Sequence, residues 1–400
     1  MAMVETKFKH TDIGLIPENW EVKRINEIAN VYGGGTPSTK NPIFWNGDIN
    51  WFTPTEVGNT KYLLNSLRKI TEIGLNNSSA KILPAGTILM TTRAGIGDLG
   101  ILKLPSATNQ GFQSLIPLEN INGEYLFYLA LTLKPALLQN ASGSTFLEIS
   151  PSKVKSIQIP LPPLPEQKAI AEVLSDTDTW IESLEKLIAK KQFIKQGAMQ
   201  KLLTPKEDWE VKKLGEVCDV RDGTHDSPKY FDSGVKFITS KNIVNNKLDF
   251  AEISYISFSD ATEINKRSKV DKNDIIMSMI GTIGNAVLID FEPDFCIKNV
   301  ALLKPRNISS TFLIQMIKSP YFQNLLNSKM DGGIQKFVSL GVLRDLKFNC
   351  PKFLSEQERI AAILFDMDVE IEMLEKKLTK AKQIKQGLMQ ELLTGRIRLV

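Results

Sequence analysis

The feature that most constrains the fold of this chain is a long internal repeat. The segment 164–204 returns at 354–394 with a constant offset of 190 residues, and 23 of the 41 aligned pairs are identical without a gap. Glu166, for example, is matched by Glu356. A chain that carries one structural segment twice is expected to consist of two related halves.

Both copies of the repeat have the periodicity of a long helix. Apolar residues of the second copy are spaced by alternating fours and threes, as in a helix that packs along another helix. They are Ile360, Leu364, Met367, Ile371, Leu374, Leu378 and Ala381. The first copy keeps this spacing, with the polar residues Thr177 and Lys191 as interruptions. Pro205 follows the first segment and Gly395 follows the second, and both residue types are signals that a helix ends. We therefore predict two helices of about 60 Å each.

Composition limits the class of protein. The chain has 400 residues, 42% apolar and 24% charged, which suits two or three globular domains. It has no apolar run of the roughly 18 residues that a membrane span needs, and its first residues lack a signal-peptide core, so we expect a cytoplasmic protein without a membrane partner. The net charge of +4 is too small to identify a nucleic-acid partner by itself.

Cysteine and histidine usage argues against a metal site. Cys218, Cys296 and Cys350 are odd in number and far apart, which is typical of reduced, unpaired thiols. Because His10 and His225 are the only histidines, no zinc cluster can form at the usual ligand spacing. We expect buried or incidental thiols and no bound metal.

The regions outside the repeat share short landmarks. Residues 20–24 (WEVKR) match 209–213 (WEVKK), and 88–90 (ILM) match 275–277 (IIM). These offsets are close to that of the helices, so the chain is interpreted as a tandem duplication of a domain followed by a helix. The domains have diverged further than the helices.

Each globular region has the pattern of a mixed α/β domain. Short runs of β-branched and aromatic residues between Gly, Pro and Asn predict strands, for example within 81–92 and 271–279. A helical stretch follows in each region, at 124–139 and 311–328. Each region is large enough for a core of its own.

The predicted architecture is α+β, with two mixed α/β globular domains separated by two long antiparallel helices that form a coiled-coil-like spacer with pseudo-two-fold symmetry. The domains are 1–160 and 206–353, and the helices lie within 161–205 and 354–400. If the helices pack together, this chain order makes them antiparallel and is expected to place the domains at opposite ends. Duplex DNA has two-fold symmetry as well, and half-sites one or more turns of about 34 Å apart suit two domains held at such a distance.

The chain resembles the specificity subunits of type I restriction-modification systems. The residues that carry the resemblance are Gly14–Pro17 with Trp20 and Glu21, the loop Gly34–Ser38, the turn Arg93–Gly97, Asn109–Phe112, and the helix ends Pro163–Gln167 and Ile384–Gly395. In the second domain, Lys298 and Asn299 stand where this family often has a Gln-Asn pair.

The resemblance implies a function and partners. Members of this family carry two target-recognition domains that recognise a bipartite DNA sequence with a nonspecific gap. Their helices bind two adenine methyltransferase (modification) subunits, and ATP-driven restriction subunits join through that core. The expected partners are therefore double-stranded DNA, two methyltransferase subunits and restriction subunits.

Motifs that would indicate catalysis or a cofactor lack their context. Residues 95–100 fit GxGxxG, but a further strand pattern at 101–105 follows instead of a phosphate-binding helix, so we predict a tight hairpin. The glycine-rich segment 33–40 lacks the Gly-Lys-Ser/Thr ending of a phosphate loop. The Asn/Asp-Pro-Pro-Tyr/Phe signature of amino-methyltransferases is missing. We expect a non-catalytic chain without a cofactor.

Polar loop residues that could contact base edges or phosphates are the candidate DNA-binding residues. In the first domain they are Thr36, Ser38, Lys40, Thr55, Arg93, Gln110 and Ser144. In the second domain they are Thr224, His225, Lys241, Asn242, Lys298, Gln335 and Lys336. Arg93 and Lys241 are favoured, because each lies in a turn just after a strand that recurs in both halves. For every one of them, the alternative is an ordinary solvated loop residue.

The helices offer a second candidate surface. Repeated polar residues that symmetric partners could contact twice are Asp176, Asp178 and Gln196, with their counterparts Asp366, Asp368 and Gln386. The alternative is a solvated helix face. Two other functions also stay open: a two-headed coiled-coil scaffold without sequence-selective DNA binding, and a stand-alone DNA-modifying enzyme.

Overall fold

The chain divides into two structural units, each with strands and helices of its own. In the computed structural model, the described residues are 7–93, 95–143, 147–329 and 337–399. Unit 1 consists of Met1–Glu185 with Lys377–Val400, and unit 2 consists of Lys186–Lys376. Each unit therefore combines one globular region with part of each long helix.

Unit 1 is a mixed α/β domain. Its strands are β1 (Phe8–Thr11), β2 (Gly14–Pro17), β3 (Glu21–Arg24), β4 (Ala29–Gly33), β5 (Trp45–Phe52), β6 (Tyr62–Leu63), β7 (Arg68–Ile70), β8 (Ile88–Met90), β9 (Leu99–Leu102), β10 (Ser106–Thr108), β11 (Gln113–Pro117) and β12 (Gln158–Leu161). Its helices are α1 (Ile25–Ile28), α2 (Glu72–Asn76), α3 (Gly123–Thr132), α4 (Lys134–Asn140), α5 (Pro151–Ser156) and the first part of α6 (Leu164–Leu202). The main sheets have the strand orders β4-β11-β8-β9-β6 and β10-β5-β7, and β1-β2 and β12-β3 form pairs.

Strand β8 lies between two layers of apolar side chains in unit 1. Ile88 and Met90 belong to the core that includes α3, whereas Leu89 packs with Phe52 and Phe112 on the other face of the sheet. Successive side chains of a strand point to opposite faces. Because both faces are covered, the strand is apolar throughout instead of alternating with polar residues.

Unit 2 repeats this plan with different details. Its strands are β13 (Trp209–Lys213), β14 (Cys218–Asp222), β15 (Val235–Ile238), β16 (Ile243–Val244), β17 (Lys247–Leu248), β18 (Ser254–Ile256), β19 (Ile275–Ser278), β20 (Ala286–Leu288), β21 (Phe295–Ile297), β22 (Val300–Pro305) and β23 (Lys347–Pro351). Its helices are α7 (Leu214–Val217), α8 (Phe258–Ser268), α9 (Ser310–Lys318), α10 (Pro320–Asn327), α11 (Leu340–Asp345) and the first part of α12 (Leu354–Leu393). The main sheets have the orders β14-β22-β19-β20 and β18-β15-β21, with the pairs β13-β23 and β16-β17.

The two domains share a parallel strand pair. Strand β5 runs parallel to β10 in unit 1, and β15 runs parallel to β21 in unit 2. Strand β19 also matches β8, since Ile275 and Met277 face the core under α9 while Ile276 packs on the opposite face. The predicted duplication of a mixed α/β domain is confirmed by this shared topology.

Within each unit, the long helices run antiparallel. In unit 1, Asp178 of α6 binds Lys385 of α12 at 2.5 Å, and Glu185 binds Lys382 at 2.7 Å, so the partner number falls as the α6 number rises. The predicted antiparallel pairing is therefore confirmed in this unit.

Unit 2 shows the same direction from the other ends of the helices. Lys191 of α6 binds Glu370 of α12 at 2.6 Å, and Lys195 binds Asp368 at 2.5 Å.

Most of the predicted apolar seam of α12 is also confirmed as buried. Its buried members are Ile360, Leu364, Ile371, Leu374 and Ala381.

Three local predictions change in the structure. The helical stretches at 124–139 and 311–328 each contain two helices, because Pro135 and Pro320 each stand in the first turn of a new helix. The strands predicted within 81–92 and 271–279 are shorter than the patterns, at β8 and β19. The GxGxxG segment lies at the β8–β9 hairpin, where Met90 pairs with Leu99, as predicted.

The three cysteines are free and buried. Burial raises the pKa of Cys218 to about 12 and that of Cys296 to about 11, so both thiols stay protonated at neutral pH. Among the residues that the structure describes, none of the helices has both the length and the apolar character that crossing a bilayer would take.

Candidate nucleic-acid interface

In unit 1, the carboxyl ends of β4, β5, β8 and β10 meet at one edge. Three backbone hydrogen bonds join the loops there: Gly35 N to Thr108 O at 2.8 Å, Asn109 N to Phe52 O at 3.1 Å, and Thr92 N to Gly111 O at 2.8 Å. Loops separated by dozens of residues in the sequence thus form one surface. This surface is called edge 1.

Edge 1 carries most of the candidates from the first domain. The Thr36 hydroxyl donates to Gln110 Oε1 at 2.6 Å, and both side chains are exposed. Ser38 and Lys40 are exposed in the same loop, whose Ser38 carbonyl accepts a hydrogen bond from Trp45 Nε1. That bond fixes the backbone while leaving the Ser38 hydroxyl and the Lys40 ammonium toward solvent.

Thr55 and Arg93 occupy the neighbouring turns. Thr55 is exposed in the short 3-10 helix Pro54–Glu56, which Thr53 and Glu56 cap from inside. Arg93 forms an ion pair with Glu148 at 2.7 Å, in which both side chains are nearly half exposed. Glu148 therefore orients the guanidinium and also neutralises part of its attraction for a phosphate.

In unit 2, the equivalent strand ends form edge 2. Its backbone hydrogen bonds are Thr224 N to Ile297 O at 3.2 Å, Lys298 N to Ile238 O at 2.8 Å, and Gly223 N to Val300 O at 3.0 Å. The first two reproduce bonds of edge 1, with Thr224 in place of Gly35 and Lys298 in place of Asn109. One residue further on, His225 stands in place of Thr36.

A groove of about 1060 Å³ opens along edge 2. The loop after β15, the β19–β20 turn and the β21–β22 loop line one part of it, including Lys241, Thr282 and Lys298. Asp249 and Glu252 line another part. The groove therefore has a cationic and hydroxyl-bearing side next to an acidic one.

Four candidates of the second domain lie at edge 2. His225 and Lys241 are exposed, Thr224 and Lys298 are half-buried, and the Lys298 ammonium contacts the Ser227 hydroxyl at 2.5 Å. His225 is held by Asp222 and Asn299. Lys241 and Lys298 line the groove, and His225 lines a smaller cavity that shares Asn299 with it.

Asn242 is the exception. It is only 7% exposed, and its Oδ1 accepts hydrogen bonds from the Thr239 backbone and hydroxyl at 3.0 Å, while its Nδ2 donates to Asp249 O at 3.1 Å. Because both ends of the amide are used inside the domain, Asn242 stabilises the loop that carries Lys241. These contacts argue against the prediction that Asn242 binds DNA.

The structure does not describe three of the candidates. Ser144, Gln335 and Lys336 lie outside the described residues. The remaining candidates stay predictions as DNA contacts. What the structure adds is that they are gathered at one edge of each unit.

The candidate partner-binding residues divide into two classes. Asp176, Gln196, Asp366 and Gln386 are exposed on the helices. Asp178 and Asp368, by contrast, are half-buried and engaged inside their own units. Their internal contacts leave them less available for a partner than predicted.

In unit 1, Asp178 joins the helices to the globular domain. Its Oδ2 accepts from the Tyr128 hydroxyl at 2.6 Å, and its Oδ1 pairs with Lys385. Burial is the main cause that raises the pKa of Tyr128 far above its usual value, and the bond to Asp178 adds to it. Tyr128 therefore keeps the proton that it donates.

Unit 2 contains the same junction. Asp368 Oδ2 accepts from Gln315 Nε2 at 2.9 Å, and Oδ1 pairs with Lys195 at 2.5 Å. Sequence reasoning missed the two lysines as helix anchors, although Lys195 and Lys385 both lie in the repeated run Ile-Lys-Gln-Gly. It also left Asn299 out of the candidate residues. The residue type was the available signal, because Asn adopts the left-handed backbone region more readily than most residues, and Asn299 has φ +53°.

Comparison with known proteins agrees with this organisation. Residues 17–192 and 206–383 both match the model of the type I restriction modification DNA specificity domain. The specificity subunit of the type I restriction enzyme MjaIX from Methanocaldococcus jannaschii is 40% identical over 268 residues, which are 60% of this chain and 62% of that protein. The MjaVIII specificity subunit from the same organism is 29% identical over 434 residues, covering 99% of this chain and 97% of that protein.

Solved structures have the same fold. The S subunit of a type I restriction-modification system from M. genitalium matches with a TM-score of 0.60 at 17% identity, covering 98% of this chain and 99% of that chain. A chain from a study of complex assembly and conformational transition in the type I system matches with a TM-score of 0.62 at 19% identity, covering 96% and 99%.

Proposed function

We propose a function from one premise: this chain belongs to the family of type I restriction modification DNA specificity proteins. Edge 1 and edge 2 recognise the two halves of a bipartite DNA sequence. The helices bind two adenine methyltransferase subunits, and restriction subunits join through these. The chain itself supplies recognition and no catalytic group.

The observation that carries the proposal is the relation between the two edges. Backbone hydrogen bonds at equivalent positions build both edges, but the exposed side chains on them differ, as Thr36 differs from His225. Base edges are distinguished by side-chain hydrogen-bonding groups, whereas a scaffold protein has no need for exposed polar loops that differ in this way.

Selection from random-sequence duplex DNA tests the recognition step. The full chain should enrich two short motifs separated by a fixed gap without preference. Arg93→Ala should weaken binding to the selected duplex at moderate salt, because a guanidinium at edge 1 is lost. Unchanged affinity would remove Arg93 from the interface, and a single uninterrupted motif would contradict the bipartite proposal.

Charge reversal tests the partner surface. Asp176→Lys combined with Asp366→Lys should reduce assembly with the methyltransferase on a sizing column, since both carboxylates are exposed on the helices. The matched control is Glu119→Lys with Asp290→Lys, which reverses two exposed carboxylates in loops of the globular domains. An intact complex with the helix variant, or equal loss with the control, would contradict this surface.

A further inference from the structure

Three side chains at edge 2 form a hydrogen-bonded chain. His225 Nε2 lies 2.7 Å from Asp222 Oδ2, and His225 Nδ1 lies 2.8 Å from Asn299 Oδ1. Asp222 is only 5% exposed, whereas the imidazole is 65% exposed. A buried carboxylate thus orients an exposed ring, and the ring in turn contacts a carboxamide.

The proton on this ring decides what Asn299 presents. A carboxylate accepts hydrogen bonds only, so His225 Nε2 must carry a proton in either charge state. In the neutral ring, Nδ1 is then an acceptor, and Asn299 must turn its NH₂ group toward it, leaving the amide oxygen outward. In the protonated ring, Nδ1 donates to the amide oxygen, leaving the NH₂ group outward.

The outward group of Asn299 lies at two cavities that a ligand could enter. Asn299 lines the large groove of edge 2 and also the smaller cavity that contains His225 and Asp222. Its backbone is fixed by Asn299 N to Thr224 O at 3.3 Å and by the Ser240 hydroxyl, which donates to Asn299 O at 3.1 Å. No described residue accepts a hydrogen bond from the Asn299 amide nitrogen.

We propose that Asn299 is a specificity-determining residue of unit 2 and that His225 is its positioning residue, setting whether Asn299 offers DNA an acceptor or a donor. This inference rests on the proposed function of edge 2. With neutral His225, the outward oxygen selects bases that present an amino group in the major groove, adenine or cytosine. With protonated His225, the outward NH₂ selects guanine or thymine, which present a carbonyl oxygen.

Among the described residues, three elements carry the charged groups that surround His225. Asp222 at the end of β14 contacts the ring directly, and Arg267 of α8 binds the other oxygen of the same carboxylate. Lys298 precedes Asn299 but directs its ammonium to Ser227. The described cavity residues on the remaining side, Met279, Ile280 and Phe337 to Leu340, do not titrate.

Edge 1 provides a comparison, because its equivalent pair of side chains does not titrate. Thr36 and Gln110 form the equivalent pair, and Gly33 stands where unit 2 has Asp222. A hydroxyl can donate or accept at any pH. Histidine is the residue type that gains or loses a proton between about pH 5 and 8, so only the second half-motif should depend on pH in that range.

The experiment is selection of random-sequence duplex DNA by the full chain at pH 5.5 and pH 8.0, at one salt concentration. One position of one half-motif should change from adenine or cytosine at high pH to guanine or thymine at low pH, with a change in preference of about threefold to tenfold, as expected for one hydrogen bond. The other half-motif should be the same at both pH values. Two enriched half-motifs that do not change with pH would overturn the inference and leave the proposed function intact. No enrichment at either pH would overturn both.

Three variants separate this role from a purely structural one. His225→Thr installs the residue of edge 1 and should abolish the pH dependence. Asn299→Asp presents a carboxylate oxygen in either charge state of the His225 ring, so it should favour adenine or cytosine at both pH values. Asn299→Gly keeps the left-handed backbone and removes the carboxamide, so it should erase preference at that position alone. A pH-dependent preference that persists in His225→Thr would overturn the assignment.

Discussion

In unit 1, Asp178 binds Tyr128 from the globular domain and Lys385 from the partner helix, while in unit 2 Asp368 binds Gln315 and Lys195 in the same arrangement. At the loop edges, by contrast, equivalent positions of the two units carry different side chains. Thr36 with Gln110 is replaced by His225 with Asn299, and Thr55 stands where unit 2 has Lys241.

The difference teaches how one architecture can serve two recognition tasks. The junction between helix and domain must hold the domain in place, so its carboxylate and lysine are the same in both units. The exposed edges rest on backbone hydrogen bonds and on inward-facing side chains such as Asn242, and not on the exposed side chains. Side chains there can therefore change without altering the loops that carry them.

The largest expected difference between the units lies at the start of the long helices. Glu166 is 3% exposed and binds Arg398 at 2.5 and 2.7 Å and Trp20 Nε1 at 2.9 Å, whereas its counterpart Glu356 binds the half-exposed Lys206 at 2.6 Å. Glu166→Ala leaves a nearly buried guanidinium without a partner and should cost about 3–5 kcal/mol.

Glu356→Ala is the matched control and should cost less than Glu166→Ala, because its lysine partner remains in contact with water. Urea unfolding of the two variants and of the unsubstituted chain measures both values. Equal costs would show that the two helix starts are energetically equivalent despite their different partners.

The second effect concerns the junctions that the units share. Asp178→Asn and Asp368→Asn should each cost about 1–2 kcal/mol, because each leaves a lysine without its carboxylate. Asp176→Asn and Asp366→Asn, at exposed positions two residues earlier, should change stability by less than about 0.5 kcal/mol. A marked inequality between Asp178→Asn and Asp368→Asn in urea unfolding would contradict the equivalence of the junctions.

The third effect distinguishes the edges by charge. Lys241→Ala should lower the slope of log affinity against log salt concentration by about 1, since one phosphate contact is lost. Thr55→Ala, at the equivalent position of edge 1, should leave the slope unchanged. Titrations of a selected duplex at several salt concentrations measure both slopes, and an unchanged slope for Lys241→Ala would exclude its ammonium from phosphate binding.

The smallest effect is a pH dependence at the start of α12. The hydrogen bond from Lys206 is the main cause that lowers the pKa of Glu356 below its usual value. A carboxyl group whose pKa is lower in the folded state stabilises that state at pH values above its unfolded pKa of about 4.3. This contribution is lost as the pH falls through the folded pKa. Lys206→Gln should therefore be less stable than the unsubstituted chain at pH 6, by less than about 1 kcal/mol.

The difference between these two proteins should shrink as the pH falls through the folded pKa of Glu356, because a protonated carboxyl group no longer forms the ion pair. Urea unfolding at pH 6, 4.5 and 3 measures it. A difference that grows toward low pH would have the wrong sign for this ion pair.

The sequence predicted the long helices well because the information is local. The alternation of fours and threes from Ile360 to Ala381 states directly which face of the helix is buried. The same reasoning placed Asp178 and Asp368 on an outer face. It failed to foresee their contacts, because Tyr128 and Gln315 come from a different part of the chain.

The candidate edges were predictable only as residue types. Polar residues after strands indicated Thr36, Arg93 and Lys241, but the same pattern also selected Asn242, whose amide turned out to be buried in its own loop. Burial of a loop residue depends on what the rest of the domain places over it. The sequence pattern around Asn242 does not contain that information.

By itself, the sequence determined that this chain is a duplication, that each half ends in a long helix, and that the helices pair through an apolar seam. Helical periodicity and repeat offsets are properties of neighbouring residues. Only the tertiary structure decided which loops share an edge, as Gly35 and Thr108 do, and that His225 lies between Asp222 and Asn299. These contacts join residues from different strands, and strand pairing over such distances is set by the packing of the whole domain.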